Sequence, residues 1–232
     1  MKSPKLYETK KLFFKKYLYK VAIRNELNGI FRTELQKSKD LSYTRNKLDE
    51  FASNYRNGEP LTQTFFRTTR EVPMDDYLDA KTLYQILKNE PNKYKIRVEH
   101  AQNLCVYTND ENLLHTIIER LINIQNVWEP STRKKHLLEA DTIIVDHTPE
   151  FPIRIMLKDE KVAPDFANWL RGNRDKSRIG DKALQSIDNG HHLGGFYFHV
   201  RDEKVLSIVH MLIGHAIRGI YNLVYMPPTI DK

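Results

Sequence analysis

Two adjacent histidines, His191 and His192, sit in the run Asn189-Gly190-His191-His192-Leu193-Gly194-Gly195. A neutral imidazole in a glycine-rich turn near cationic side chains can accept the proton of an RNA 2′-hydroxyl. These two are therefore the candidate general bases for metal-independent RNA cleavage. Carboxylates offer a second chemistry. Asp146-His147 followed by Asp159-Glu160-Lys161 loosely matches a restriction-type nuclease site. The same Asp-Glu step recurs at Asp110-Glu111 and Asp202-Glu203, however. A feature shared by three strand-to-helix junctions is better explained as helix capping than as one active site. Asp75, Asp76 and Asp79 open another helix and complement its dipole. His210 and His215 are five residues apart, not the i,i+4 spacing of a helical metal pair. No P-loop, dinucleotide-binding glycine fingerprint, nucleophile elbow or zinc-type cysteine cluster is present. No metal and no cofactor is expected.

Charge points elsewhere. The formal net charge is +7, and residues 1–24 hold all of it, with eight cations against Glu8 alone. Lys10, Lys11, Lys15, Lys16 and Lys20 alternate there with Phe13, Phe14, Tyr17 and Tyr19. Lysines neutralise phosphates and aromatic faces stack on bases, so Tyr17 and Tyr19 are candidate stacking residues. A second basic stretch carries Arg171, Arg174, Lys176 and Arg178, reads as a glycine-containing loop, and is expected to form the phosphate contacts together with the lysine-rich segment; taken alone it reads as a solvated surface loop. Phe196 and Phe198 share one face of a strand after the glycine turn and are a further candidate stacking pair. The single cysteine, Cys105, excludes an internal disulfide and fits a reducing compartment. No apolar run reaches the length of a membrane span or a signal peptide. The expectation is a cytoplasmic protein, in the host cytoplasm if viral, with a nucleic-acid partner and no membrane partner.

These residues need elements to hold them. Residues 12–23 read as a strand or hairpin, and residues 25–36, 42–55 and 74–87 as helices, with an extended segment at 62–69. Three segments then repeat a strand, an Asp-Glu step and an amphipathic stretch, with their Asp residues roughly 45 positions apart, about one supersecondary unit. Hairpins are expected at 94–99 against 104–108 and at 142–146 against 152–157, with a closing strand at 219–225. The fold class is α+β, with antiparallel or mixed sheets and repeated strand–helix units of ferredoxin-like (RRM-like) character. The expected division is residues 1–90, a basic strand plus helices, and 91–232, the repeated strand–helix region, with one continuous domain as the alternative.

The run Gly194-Gly195-Phe196-Tyr197-Phe198-His199-Val200 has the glycine and aromatic character of an RRM strand motif, though not its order. The architecture as a whole resembles that of ferredoxin-like RNA-processing nucleases, the CRISPR-associated ones among them. That resemblance implies a histidine general base. The Lys/Tyr/Asn-rich style is also similar to small proteins of tailed phages. The leading expectation is a protein that binds RNA or single-stranded DNA through a basic, aromatic-rich surface. The alternatives are a metal-independent RNA endonuclease and a viral structural or assembly protein.

Overall fold

The computed structural model describes residues 3–32, 41–65, 68–99 and 103–227. It is a mixed α+β chain that divides into two compact units, Met1–Thr132 and Arg133–Lys232. The division does not fall near residue 90. Helix α2 (Met74–Lys88) buries Tyr77, Ala80, Leu83 and Leu87 in the same core as Ile96, Leu104 and Val106 from the strands that follow it.

The first unit carries a five-stranded sheet of order β1 (Lys5–Glu8), β7 (Ile124–Glu129), β2 (Tyr19–Arg24), β6 (Asn103–Thr108) and β5 (Tyr94–Glu99). Strand β1 runs parallel to β7, and every other pairing is antiparallel. Between β2 and β5 the chain makes a 3-10 turn (Glu26–Phe31), α1 (Ser42–Arg56), a small hairpin of β3 (Thr62–Phe65) and β4 (Thr68–Glu71), and α2. Helix α3 (Glu111–Arg120) joins β6 to β7 and buries Leu113, Leu114 and Ile117 against the sheet's core face.

The second unit repeats this plan. Its sheet order is β8 (Thr142–Val145), β12 (Ile217–Tyr225), β9 (Ile153–Leu157), β11 (Tyr197–Val200) and β10 (Ser177–Ile179). Again the first strand is parallel to its neighbour and the rest are antiparallel. Helix α4 (Asp165–Gly172) links β9 to β10, α5 (Asp181–Asp188) links β10 to β11, and α6 (Glu203–Ile213) links β11 to β12. Leaving out the added edge strand, each unit has four strands in the same spatial order, with helical connections from the first strand to the second and from the third to the fourth; the second unit adds α5 between its second and third strands. The fourth strand lies beside the first and the third lies between the first and second.

Two of the three Asp-Glu steps occupy equivalent places. Asp110 and Asp202 each follow the third strand, β6 and β11, and cap the helix that leads to the fourth, α3 and α6. Their carboxylates accept from the backbone N–H of Leu113 (3.2 Å) and Val205 (3.0 Å), an interaction worth about 1 kcal/mol. The middle step is not equivalent. Asp159 follows a first strand, and α4 begins only at Asp165 behind Pro164. Asp159 instead packs beneath Gly194, where an added Cβ would meet its Oδ1 at 2.8 Å.

The hairpin expected at 142–146 against 152–157 does not form, because β12 lies between β8 and β9. Residues 146–152 are enough chain to step over one strand, a distance of about 10 Å. Nor is the Arg171–Lys182 stretch a loop, since it spans the end of α4, all of β10 and the start of α5. The helix expected at 25–36 is a 3-10 turn as far as Phe31, and residues 33–36 lie outside the described residues.

Candidate nucleic-acid interface

Strand alternation divides each sheet into a helix-covered face and a helix-free face. In the first unit Tyr19, Val21, Ile23, Leu104 and Val106 point into the core. Lys20, Ala22, Cys105, Tyr107 and Trp128 fall on the other face, where Tyr17, Ala22, Cys105 and Tyr107 form a small buried cluster with Phe13 and Trp128 packed on it. A tight turn from Phe13 to Tyr17 closes over this cluster. It is held by the Phe13 N–H to the Tyr17 carbonyl (2.9 Å) and by the reverse bond (2.9 Å). Phe14 and Lys15 there have φ of 53° and 58°, a left-handed conformation that costs an L-residue roughly 1–2 kcal/mol. Asn109 Oδ1 anchors the turn by accepting from the Leu18 N–H at 2.8 Å.

The turn displays Phe14. Its ring is 45% exposed, meets Tyr107 edge-on at 4.9 Å, and lies 4.7 Å from Lys95 Nζ and 5.7 Å from the Arg97 guanidinium. On the other side of the cluster Tyr7, 43% exposed, stacks on Trp128 at 5.1 Å. The result is a strip of partly exposed rings flanked by Lys95, Arg97, Lys15 and Lys16.

Lys20 sits at the centre and is not part of the open surface. Its side chain is 13% exposed. Its ammonium lies 4.6 Å from the Trp128 ring, 5.3 Å from Tyr107 and 5.8 Å from Phe13, and donates to Glu99 Oε2 at 2.9 Å. The Tyr107 hydroxyl donates to the other Glu99 oxygen. Burial pushes the Glu99 carboxyl up. The hydrogen bonds from Tyr107 and Lys20, with the Lys20 charge, outweigh it and hold the group below its ordinary range. Burial also pushes the Cys105 thiol up to about 12. Iodoacetamide at pH 8 should therefore leave Cys105 unmodified in the folded chain and alkylate it fully in denaturant. Mass spectrometry reads the difference.

The second unit's helix-free face is polar. Arg154 Nε donates to His199 Nε2 at 3.0 Å, so the ring carries its hydrogen on Nδ1. The Arg154 guanidinium also lies 4.5 Å from the Tyr197 ring, which is 45% exposed. Burial, then the charges of Arg154 and Arg178, lower the His199 pKa to about 4, so it is neutral near pH 7. Tyr197, His199 and Arg178 line a cleft of about 600 Å³ together with His147, Glu150 and Asp181. A smaller hollow of about 350 Å³ shares Glu150, Arg178 and Asp181 and adds Arg171 and Arg174.

The residues picked from sequence are placed unevenly. Lys15 and Lys16 are exposed at the tip of the first unit's turn, while Lys10 and Lys11 are half-buried. Tyr17 is buried beneath that turn. Tyr19, 2% exposed, and Phe198, wholly buried, belong to the two cores and cannot stack on a base. Phe196 packs partly against the second core. Arg171 is held by Asp188 and Asn168, whereas Arg174, Lys176 and Arg178 are exposed. His191 and His192 lie exposed on the turn before β11, and neither lines the two hollows around Arg178. Asp76 and Asp79 accept backbone N–H groups of Glu26, Ile122 and Asn123. Among the described residues no group of three or more His, Cys, Asp or Glu could hold a metal, and no helix is long and apolar enough to cross a membrane.

Trp128, Lys95, Arg97, Arg154 and Tyr197 escaped the sequence reading, while Tyr7 and Phe14 lie in its basic aromatic segment and His199 on its glycine-turn strand without having been picked as contacts. Tyr197 and His199 were discoverable. They occupy the opposite phase of the strand from Phe196 and Phe198, and Tyr and His carry a polar tip suited to the wet face.

No protein-family model, curated protein or solved structure matches the chain.

Proposed function

We propose that this protein binds single-stranded nucleic acid through the helix-free faces of two ferredoxin-like, RRM-like units. The observation that carries the reading is the first unit's exposed ring strip, in which Phe14 is bracketed by Lys95 and Arg97 and Tyr7 is stacked on Trp128. Rings that present a face beside cations suit a strand whose bases stack while its phosphates meet ammonium and guanidinium groups. A duplex, with its bases already stacked, gains nothing from such rings. The strand order of each unit supports the same reading, because that topology leaves one sheet face uncovered by helices.

The histidines favour binding over cleavage. His199 has its Nε2 lone pair engaged by Arg154, and His191 and His192 sit on an exposed turn whose contacts run to the chain itself. His192 Nδ1 lies 3.0 Å from the Asp159 carbonyl.

Fluorescence anisotropy with labelled single-stranded RNA and DNA tests the proposal. The joint change of Phe14→Ala and Lys95→Ala should weaken binding about tenfold, since it removes one stacking platform and one phosphate partner. Affinity should also fall steeply as salt rises. Equal affinity of parent and variant at low salt would sink the assignment of this face.

A further inference from the structure

The two units share more than strand order. Counting back three residues from the capping aspartates Asp110 and Asp202 gives Tyr107 on β6 and His199 on β11. The strand registers then extend the match across four strands. In the first unit Lys95, Tyr107, Lys20 and Trp128 stand in one row. In the second the row is Arg178, His199, Arg154 and Tyr221. Both read cation, polar ring, cation, aromatic, and both lie on the helix-free face.

The rows differ in what lies over them. In the first unit the Phe13–Tyr17 turn covers the centre and Glu99, farther along β5, neutralises Lys20. In the second, β10 ends one residue after Arg178, so the strand carries no counterpart of Glu99. The Arg178–His199 edge of the row opens instead into the 600 Å³ cleft. Arg178 there is exposed, and Tyr197 shows its ring beside the Arg154 guanidinium.

From this we infer that the cleft of the second unit is a nucleotide subsite, in which Arg178 holds a phosphate and Tyr197, its ring positioned by the Arg154 guanidinium, stacks on the attached base. The inference rests on the reading above and gives it a second site of defined chemistry. Guanidinium groups suit the phosphate because their planar fork donates two parallel hydrogen bonds. His199 contributes an Nδ1–H donor, since its other nitrogen accepts from Arg154. The remaining charged or titratable groups lining the cleft are His147, Glu150 and Asp181. The two carboxylates offset the charges of Arg178 and the neighbouring Arg154, and can accept from exocyclic amino groups of a base.

The experiment uses the full chain and two readouts. Long-range proton–nitrogen NMR follows the His199 ring while inorganic phosphate, adenosine, or adenosine 5′-monophosphate is added. Anisotropy follows a labelled single-stranded oligonucleotide. The monophosphate should shift the His199 signals at lower concentration than phosphate or adenosine alone, because only it offers both groups. Arg178→Ala, at an exposed edge position, should abolish that shift and weaken oligonucleotide binding about tenfold. Phe14→Ala with Lys95→Ala should leave the shift intact. If Arg178→Ala and Arg154→Gln each keep the native circular dichroism and full oligonucleotide affinity, the subsite is wrong while the first-unit face stands. If the parent binds no oligonucleotide yet the monophosphate still moves His199, the subsite stands as a mononucleotide site and the nucleic-acid reading falls.

Discussion

Replacing Asp79 by Ala should destabilise the first unit by about 3 kcal/mol, more than a hundredfold in its folding equilibrium, whereas Asp75→Ala should change it by less than about 0.5 kcal/mol. The two residues lie four apart on α2 and look alike in sequence. Asp79 is 2% exposed and accepts from the backbone N–H groups of Ile122 (2.9 Å) and Asn123 (2.8 Å), where α3 hands over to β7. Removing its carboxylate leaves two donors with no acceptor at a place where water has little access. Each charge-assisted bond of this kind is worth about 1.5–3 kcal/mol. Asp75 is exposed and contributes only to the helix dipole. Asp79→Asn should fall between the two, since an amide keeps one acceptor oxygen. Urea unfolding measures this. The two tryptophans, Trp128 and Trp169, fall one in each unit, so a Trp169→Phe background reports on the first unit alone. The midpoint should drop with an unchanged denaturant slope.

The same acidic group shows where sequence reading succeeds and where it stops. Helix α2 was legible because its apolar residues repeat at helical spacing and its acidic start complements the dipole. The tertiary role of Asp79 was not, because its partners lie more than forty residues away. Strands β5, β6 and β12 were legible for a similar local reason, namely alternation bounded by turn residues. Strand β1 was hidden because all four of its residues are exposed. It is a strand by backbone pairing to β7, and nothing in its side chains requires that. Strand β10 was hidden by length, three residues inside a basic stretch.

Charge was the weaker guide to the site. The lysine excess before residue 24 pointed to the segment that holds the Phe13–Tyr17 turn. It did not separate the cations that meet solvent from the one enclosed by rings. The middle Asp-Glu step misled for a related reason. Its residues match those of the two capping steps, but it follows a first strand and not a third. Only topology distinguishes those positions, and local pattern carries no topology.

Lys20→Ala is the second large effect, and it separates a structural cation from those proposed to bind. The change should cost on the order of 2–3 kcal/mol, because it leaves Glu99, a carboxylate 21% exposed, with the Tyr107 hydroxyl, the Cys105 thiol and the more distant Arg97 as its side-chain partners. It also removes a cation from between three rings. The double variant Lys20→Met with Glu99→Gln should recover most of that stability, since Met refills the cage and a neutral amide still accepts from Tyr107. The pH dependence has a definite sign. Glu99 is held below its ordinary range in the folded parent, so its contribution is present at neutral pH and disappears as pH falls through the folded value. The gap between parent and Lys20→Ala should therefore be widest near pH 7 and close in acid. Lys15→Ala with Lys16→Ala should do the reverse in both assays. Exposed at the turn tip, with Lys16 Nζ 5.3 Å from the Tyr17 ring, they should move the unfolding midpoint far less than Lys20→Ala does and lower the salt slope of single-strand binding by about 0.7 for each phosphate that the variant no longer neutralises. A Lys20→Ala protein as stable as its parent, with its salt slope reduced instead, would move Lys20 from the scaffold to the ligand.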